Sequence, residues 1–258
     1  MNIKEKFFDL FGMYIEKKTK RMDISKVIKK LLPYEIGINL IRLGDDGDGG
    51  YLIPDDLANL DKNYSAGIGL LTKFENDLQN KYSIDSMMLD FNNINKNILP
   101  KNSQFFKKKL SLFSNENQIT INDWIDNKDE EIILKIDIEG DEYMNLASIT
   151  NEKLMKVRIL IVELHDLRNL RNLIFLRNFD KIISKLNQFF YPCHLHINNM
   201  SKVINIAGFK VPDMLEMTFI RKDRVKDFNF NYSKLPNKLD KKTVKDKEEI
   251  ILDKNWYL

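Results

Sequence analysis

Ile132-Ile133-Leu134-Lys135-Ile136-Asp137-Ile138-Glu139-Gly140-Asp141-Glu142 is the stretch on which the reading of this chain turns. It begins as a short apolar run rich in β-branched residues and passes directly into a cluster of carboxylates. A continuous run of this kind suits a strand covered on both faces, as in a parallel sheet. The acids then stand at its carboxyl end, where open α/β sheets bind their ligands. Two readings compete. In one, Glu139, Asp141 and Glu142 only complement the dipole of a following helix. In the other, the acids hold a ligand, because crowding them costs solvation unless something binds them.

The flanking sequence alternates strand and helix patterns. Upstream, Tyr64 to Ile68 reads as a strand, Lys73 to Lys81 as a helix, and Asp85 to Asp90 and Phe105 to Phe113 as strands. Downstream come a helix over Leu146 to Lys156 and a strand over Val157 to Glu163. A long amphipathic helix follows, with Leu170, Leu173, Ile174, Phe179, Ile182, Ile183, Leu186 and Phe190 on its core side. Strands at Tyr191 to Ile197 and Glu216 to Arg221 complete the pattern. Such alternation implies right-handed crossovers and a mostly parallel central sheet flanked by helices, an α/β fold.

Two further amphipathic helices precede Pro33. Phe7, Leu10, Phe11 and Tyr14 recur at helical spacing, as do Ile24, Val27, Ile28 and Leu31. They define an N-terminal helical extension over residues 1–35, with the main domain at 36–258. Their basic residues (Lys17, Lys18, Lys20, Arg21, Lys29, Lys30) are expected on a solvated face of helices packed against the domain. The alternatives are peripheral contact with an acidic membrane surface or contact with an anionic substrate. The same helices offer an interface for a homo-oligomer. The polar tail after Arg224 is expected to wrap the surface until Trp256 and Tyr257 anchor it.

Composition narrows the classes. The 258 residues are 43% hydrophobic, enough for one sizeable core. Forty-one basic residues against 38 acidic ones leave a net charge of +3, which gives no argument for nucleic acid as a bulk electrostatic partner. A single cysteine, Cys193, excludes an internal disulfide framework and a cysteine-rich metal site, and fits a reducing compartment. The early apolar stretch from Phe7 to Ile15 is interrupted by Asp9, and no later run is long enough for a transmembrane segment. A cytoplasmic protein is the expectation.

Three motifs surround the acidic strand. The first is the turn Tyr64-Ser65-Ala66-Gly67-Ile68-Gly69-Leu70, where two glycines allow close approach of backbone to ligand. The third glycine of a full dinucleotide fingerprint is replaced by Thr72. The next strand ends at Asp90, an acid placed to accept hydrogen bonds from a ribose. Together they read as an adenosyl site. The second is Arg42-Leu43-Gly44-Asp45-Asp46-Gly47-Asp48-Gly49-Gly50-Tyr51, too glycine-rich for a regular element and expected as a mobile loop or a lid over a ligand.

The third is the set of histidines. The chain has three, all at two strand ends. Ile161-Val162-Glu163-Leu164-His165 puts Glu163 and His165 on one face, and His194-Leu195-His196 repeats the spacing. Converging with Asp137 and Glu139 on one sheet edge, they could form a general-base site, a sugar-hydroxyl site or a divalent metal site.

Taken in order, these residues resemble the FkbM-type S-adenosylmethionine-dependent methyltransferases. The likeness runs from Arg42 to the tail. It rests on Leu134 to Glu142, the Gly-Asp-Gly-Gly-Tyr loop at Gly47 to Tyr51, the turn Ala66 to Gly69 and the Glu-x-His strand end at Glu163 to His165. It continues with the segments His194 to Asn199, Pro212 to Phe219 and Leu235 to Asp240. The resemblance implies a Rossmann-like class I methyltransferase fold and S-adenosylmethionine-dependent O-methyl transfer to a hydroxyl of a sugar, glycan or secondary-metabolite acceptor. It implies cofactor contacts at Asp48, Gly49, Gly50, Tyr51, Gly67, Ile68, Gly69, Asp90, Asp137 and Glu139. Two departures stand out: Ser65 lies near where many methyltransferases carry an acid ahead of the glycines, and Ala66 replaces the usual aromatic.

For catalysis, His165 is expected as the base, oriented by Glu163 or Asp137. In a metal-dependent variant, Asp137, Glu163 and His165 hold magnesium or manganese. His194, His196, Asn198 and Asn199 are expected to line the acceptor pocket. Two rival classes use the same residues: a metal-dependent phosphoester hydrolase, and a non-catalytic cofactor-binding member of the fold.

Overall fold

The computed structural model describes residues 17–226, 228 and 231–257. The helix expected over Phe7 to Tyr14 lies outside them. Helix α1 (Arg21–Lys29) opens the described chain, and strands β1 (Leu40–Gly44) and β2 (Gly50–Pro54) form a hairpin. The main unit begins with β3 (Lys62–Ala66), α2 (Lys73–Tyr82), β4 (Asp85–Asp90) and β5 (Gln104–Lys107). A small parallel pair, β6 (Lys109–Ser111) and β7 (Gln118–Thr120), and the short α3 (Ile121–Trp124) lead to β8 (Ile132–Ile136). Helices α4 (Glu142–Ser148) and α5 (Asn151–Lys156) connect to β9 (Val157–Leu164), and α6 (Leu173–Phe189) connects to β10 (Phe190–His196). A second hairpin, β11 (Val203–Ile206) and β12 (Phe209–Pro212), precedes the last strand, β13 (Leu215–Arg221).

Seven strands form the central sheet in the order β10-β13-β9-β8-β3-β4-β5. Pairings from β5 to β9 are parallel, and β13 runs against both of its neighbours. The arrangement is compatible with a Rossmann-like fold. From β3 the chain winds outward to β4 and β5, and from β8 it winds the other way to β9. The switch point therefore lies between β3 and β8, where a crevice opens at the strands' carboxyl ends.

Burial explains the strand composition. All five residues of β8 and all eight of β9 are buried, so neither strand shows a polar face. Each fully buried Ile, Leu or Val side chain contributes roughly 1.5–3 kcal/mol of transfer free energy. Helix α6 starts where the Asn172 side chain accepts hydrogen bonds from the Ile174 and Phe175 amides. Its buried stripe is Leu176, Phe179, Ile182, Ile183 and Leu186.

The described residues before Pro33 reach the same core: Ile24, Val27, Ile28, Leu31 and Leu32 all join the main cluster. Lys30, one of the basic residues there, is bonded to Asp180 and Ser184 on α6 at 2.6 and 2.8 Å. No helix of the described residues is long and apolar enough to cross a membrane.

Three expectations need correction. The glycine-rich stretch from Arg42 is not an irregular loop, because Leu40–Gly44 and Gly50–Pro54 pair in antiparallel register and the Arg42 guanidinium holds the Asp45 and Gly47 carbonyls of the connection between them. The helix expected over Leu146 to Lys156 is two helices. Ile149 is extended, and Thr150 caps a new start by accepting the Lys153 amide. The strand expected over Phe105 to Phe113 breaks at Lys108, whose amide turns back to the Phe106 carbonyl at 2.9 Å, so β5 joins the main sheet while β6 pairs with β7.

Candidate active site

The crevice at the switch point is a cavity of about 660 Å³. The β3 turn forms one wall. Asp137 donates its amide to the Ala66 carbonyl at 3.0 Å, tying the ends of β3 and β8 together. Gly67, at φ +74°, is pressed against that junction: a Cβ there would lie 1.5 Å from the Asp137 carbonyl oxygen. Gly69, at φ +50°, differs. A Cβ there would meet nothing within 4 Å, so the glycine leaves space open over the turn. Asp90 closes this end by accepting the Gly69 amide at 3.0 Å and the Asn92 amide at 2.7 Å. Each carboxylate oxygen keeps a further lone pair for a hydroxyl donor.

Asp48, Gly49, Tyr51, Gly67, Ile68, Gly69, Asp90, Asp137 and Glu139 all line this cavity. Gly50 does not. A Cβ there would lie 2.0 Å from the Asp45 carbonyl and 2.4 Å from the Arg42 guanidinium, so this glycine serves the hairpin turn. The exposed side chains of Leu70 and Phe91 stand on the rim.

The catalytic candidates come together beside Asp137. His165 Nε2 lies 4.0 Å from Asp137 Oδ1, 3.8 Å from Glu163 Oε2 and 3.5 Å from Glu139 Oε2. The orienting carboxylate is Glu142, not Glu163 or Asp137. Its Oε1 is 2.8 Å from His165 Nδ1 and also accepts the Gly140 amide at 3.0 Å. The same oxygen thus fixes both the ring and the loop after β8. Within that loop, Glu139 has φ +57°, an uncommon conformation for a side-chain-bearing residue. Tyr143 donates its hydroxyl to the His165 carbonyl.

The charge state of this group departs from the expectation. Burial opposes a positive imidazole, yet the Glu142 hydrogen bond and the Glu163 and Asp137 carboxylates outweigh it and lift His165 to about 9. Burial, helped by the Asp137 and Glu216 carboxylates, lifts Glu163 to about 9 as well. Burial also raises Asp137, against the pull of Lys135 and His165. These neighbours favour the protonated imidazole of His165.

The residues expected around an acceptor divide. Asn198 belongs to the cluster, donating to Glu163 Oε1 at 3.0 Å. The others are held by the tail. His194 Nε2 lies 2.9 Å from Asp240 Oδ1, close enough for an ion pair though off the line of a hydrogen bond. His196 is bracketed by Glu216 at 3.4 Å and Glu249 at 3.0 Å. Asn199 exchanges hydrogen bonds with both backbone groups of Val244, at 2.8 Å each. Their polar atoms fasten the tail, which ends with Trp256 fully buried and bonded to the Lys210 carbonyl at 3.0 Å.

Two further residues were passed over in the sequence. Lys135 lines the cavity from inside β8, and its ammonium lies 3.1 Å from Glu75 of α2 and 5.1 Å from the centre of the Tyr51 ring. Glu75 is completely buried and accepts the Ser65 hydroxyl at 2.5 Å. A carboxylate therefore does stand beside Ser65, delivered by the next helix and not by the strand. The one visible signal was a lysine inside an otherwise apolar run.

No family model matches the chain, and none of the curated proteins matches it.

Proposed function

We propose that this chain transfers the methyl group of S-adenosylmethionine to a hydroxyl of a sugar or comparable polyhydroxylated acceptor, as its resemblance to the FkbM-type methyltransferases implies. The observation that carries the reading is the layout of the switch-point cavity. It has a glycine turn sealed by Asp90 in one part of its lining and Asp137 and Glu139 in another, with His165 and Glu163 beside Asp137. Its volume is in the range of small-molecule and cofactor sites.

The chain's own residues then divide the work. The open face over Gly69 lets a ligand approach the backbone, and Asp90 keeps acceptor capacity for ribose hydroxyls. S-adenosylmethionine, when bound, supplies an electrophilic methyl group for in-line displacement. Asp137, Glu163 and His165 flank the position that an acceptor oxygen must take, and much of the rate gain comes from that alignment. His165 stands there to take the hydroxyl proton of the acceptor. It becomes a base only when the surrounding negative charge is balanced.

A calorimetric titration with S-adenosylmethionine tests the reading. We expect saturable one-to-one binding that weakens at least tenfold in Asp90→Ala. The absence of binding to the folded protein would sink the proposal and favour a phosphoester hydrolase built from the same acids.

A further inference from the structure

We propose that Asp137, Glu163 and His165 form a divalent-cation site of the magnesium or manganese type. The acceptor hydroxyl would bind at the ion's remaining positions.

Each of the three groups offers one ligand atom, and these atoms lie within 4.8 Å of one another. Each side chain is aimed by an outer contact that occupies its other polar atom. Glu142 holds His165 Nδ1 at 2.8 Å and leaves Nε2 facing inward. Asn198 holds Glu163 Oε1 at 3.0 Å and leaves Oε2. Tyr51 donates to Asp137 Oδ2 at 3.4 Å and leaves Oδ1. The remaining atoms are the ones that meet: Nε2 is 3.8 Å from Oε2 and 4.0 Å from Oδ1.

This is the architecture of a prepared metal site. Outer partners fix a ligating imidazole and ligating carboxylates in place. His165 and Glu163 are each 7% exposed, and carboxylate oxygens of Glu139, Glu163 and Asp137 crowd Nε2 at 3.5, 3.8 and 4.0 Å, a concentration of negative charge that a cation offsets. Lys135, whose ammonium acts on Asp137, is already engaged by Glu75 at 3.1 Å. Two carboxylates and one imidazole suit a hard or borderline divalent ion. Three ligands from one side also leave positions open toward the cavity, where Asp137 forms part of the lining. A hydroxyl bound there would lose its proton more readily. That acceptor role rests on the methyl-transfer reading, whereas the cation site stands without it.

Manganese is the probe. Titration of the full chain with Mn²⁺, followed by the loss of the free-ion EPR signal, is expected to show one site per chain. Glu163→Gln should weaken it at least tenfold, and Asp180→Asn, paired with Lys30 far along the chain on α6, should leave it within about twofold. Pulsed EPR of the wild-type complex needs no variant and should show coupling to one imidazole nitrogen. The proposal is overturned if the wild-type chain takes up no Mn²⁺ at millimolar concentration, if the bound ion shows no nitrogen coupling, or if folded Glu163→Gln binds as tightly as wild type. Titration with S-adenosylmethionine separates the two ideas: Mn²⁺ uptake without cofactor affinity keeps the cation site and removes the acceptor role.

Discussion

Gly67 and Asp137 meet so closely across the switch point that one hydrogen-bearing Cα is all the space allows. A Cβ on Gly67 would overlap the Asp137 carbonyl at 1.5 Å, and the residue also sits at φ +74°. Gly67→Ala should therefore cost more than about 3 kcal/mol or prevent folding. Gly69→Ala has open space around it and should cost only about 1 kcal/mol from its left-handed backbone. In the proposed function that methyl intrudes on the ligand, so cofactor affinity should fall while the fold survives. Denaturant unfolding of both variants checks the contrast, and equal costs would refute it.

The buried Lys135–Glu75 pair gives a second expectation. Removing one partner strands the other charge in the core, which costs roughly 3–5 kcal/mol. Glu75→Gln should lower the melting temperature by roughly 10 °C. Glu75→Gln combined with Lys135→Met should recover at least half of that. A single variant that melts within a degree or two of wild type would show that the pair is dispensable.

His196 makes stability depend on pH. Burial works against its charge, but Glu216, and behind it Asp240 and Glu249, raise it to about 9. The unfolded value is about 6.5. Because the folded value is the higher one, the stabilisation is complete below pH 6.5 or so and is lost as pH rises through about 9. His196→Gln should thus be less stable than wild type by at most roughly 3 kcal/mol near pH 6, and the gap should close near pH 10. Chemical unfolding at those two pH values measures it. A gap that does not change with pH would separate the stability effect from the charge.

For the proposed activity, His165→Ala should abolish methyl transfer while S-adenosylmethionine affinity stays within about threefold, since the ring stands at the acceptor end and not at the glycine turn. Steady-state assays beside calorimetry provide the split. Turnover at the wild-type level would remove His165 from the chemistry.

Much of the sheet could be read along the chain because period and length are local properties. Asp85–Asp90 and Ile132–Ile136 stand where the apolar runs place them. The hairpin Leu40–Gly44 with Gly50–Pro54 escaped because its register is set by pairing across a turn, and the glycine density masked two short strands. Thr150 split a helix through a single cap that periodicity does not register.

The site was legible where it depends on strand alternation, as for Glu163 and His165 on one face. It was not legible where partners come from afar. Glu142 looks like an ordinary helix-start charge until β9 brings His165 to it. His194 and His196 share the right edge of the sheet, yet residues more than forty positions downstream, Asp240 and Glu249, decide what they touch. Long-range pairing of that kind leaves no periodic trace.

The single reversed strand, β13, has a consequence for how such a protein can diversify. Running against β9, it brings Glu216 opposite Glu163, so the stretch from His196 to Leu215 leaves and re-enters the sheet at the same edge as the acidic cluster. That excursion carries only its own hairpin, β11 with β12, and is not threaded through the parallel half. Asn198 ties its start to Glu163, and Ile206, Phe209 and Val211 tie its hairpin to the core, so variation falls on its exposed positions while Gly67, Gly69 and Asp90 keep their places. Inheritance is thereby divided along the sheet: one half is constrained by close backbone packing, and the other varies at the exposed positions of a hairpin whose buried face is fixed.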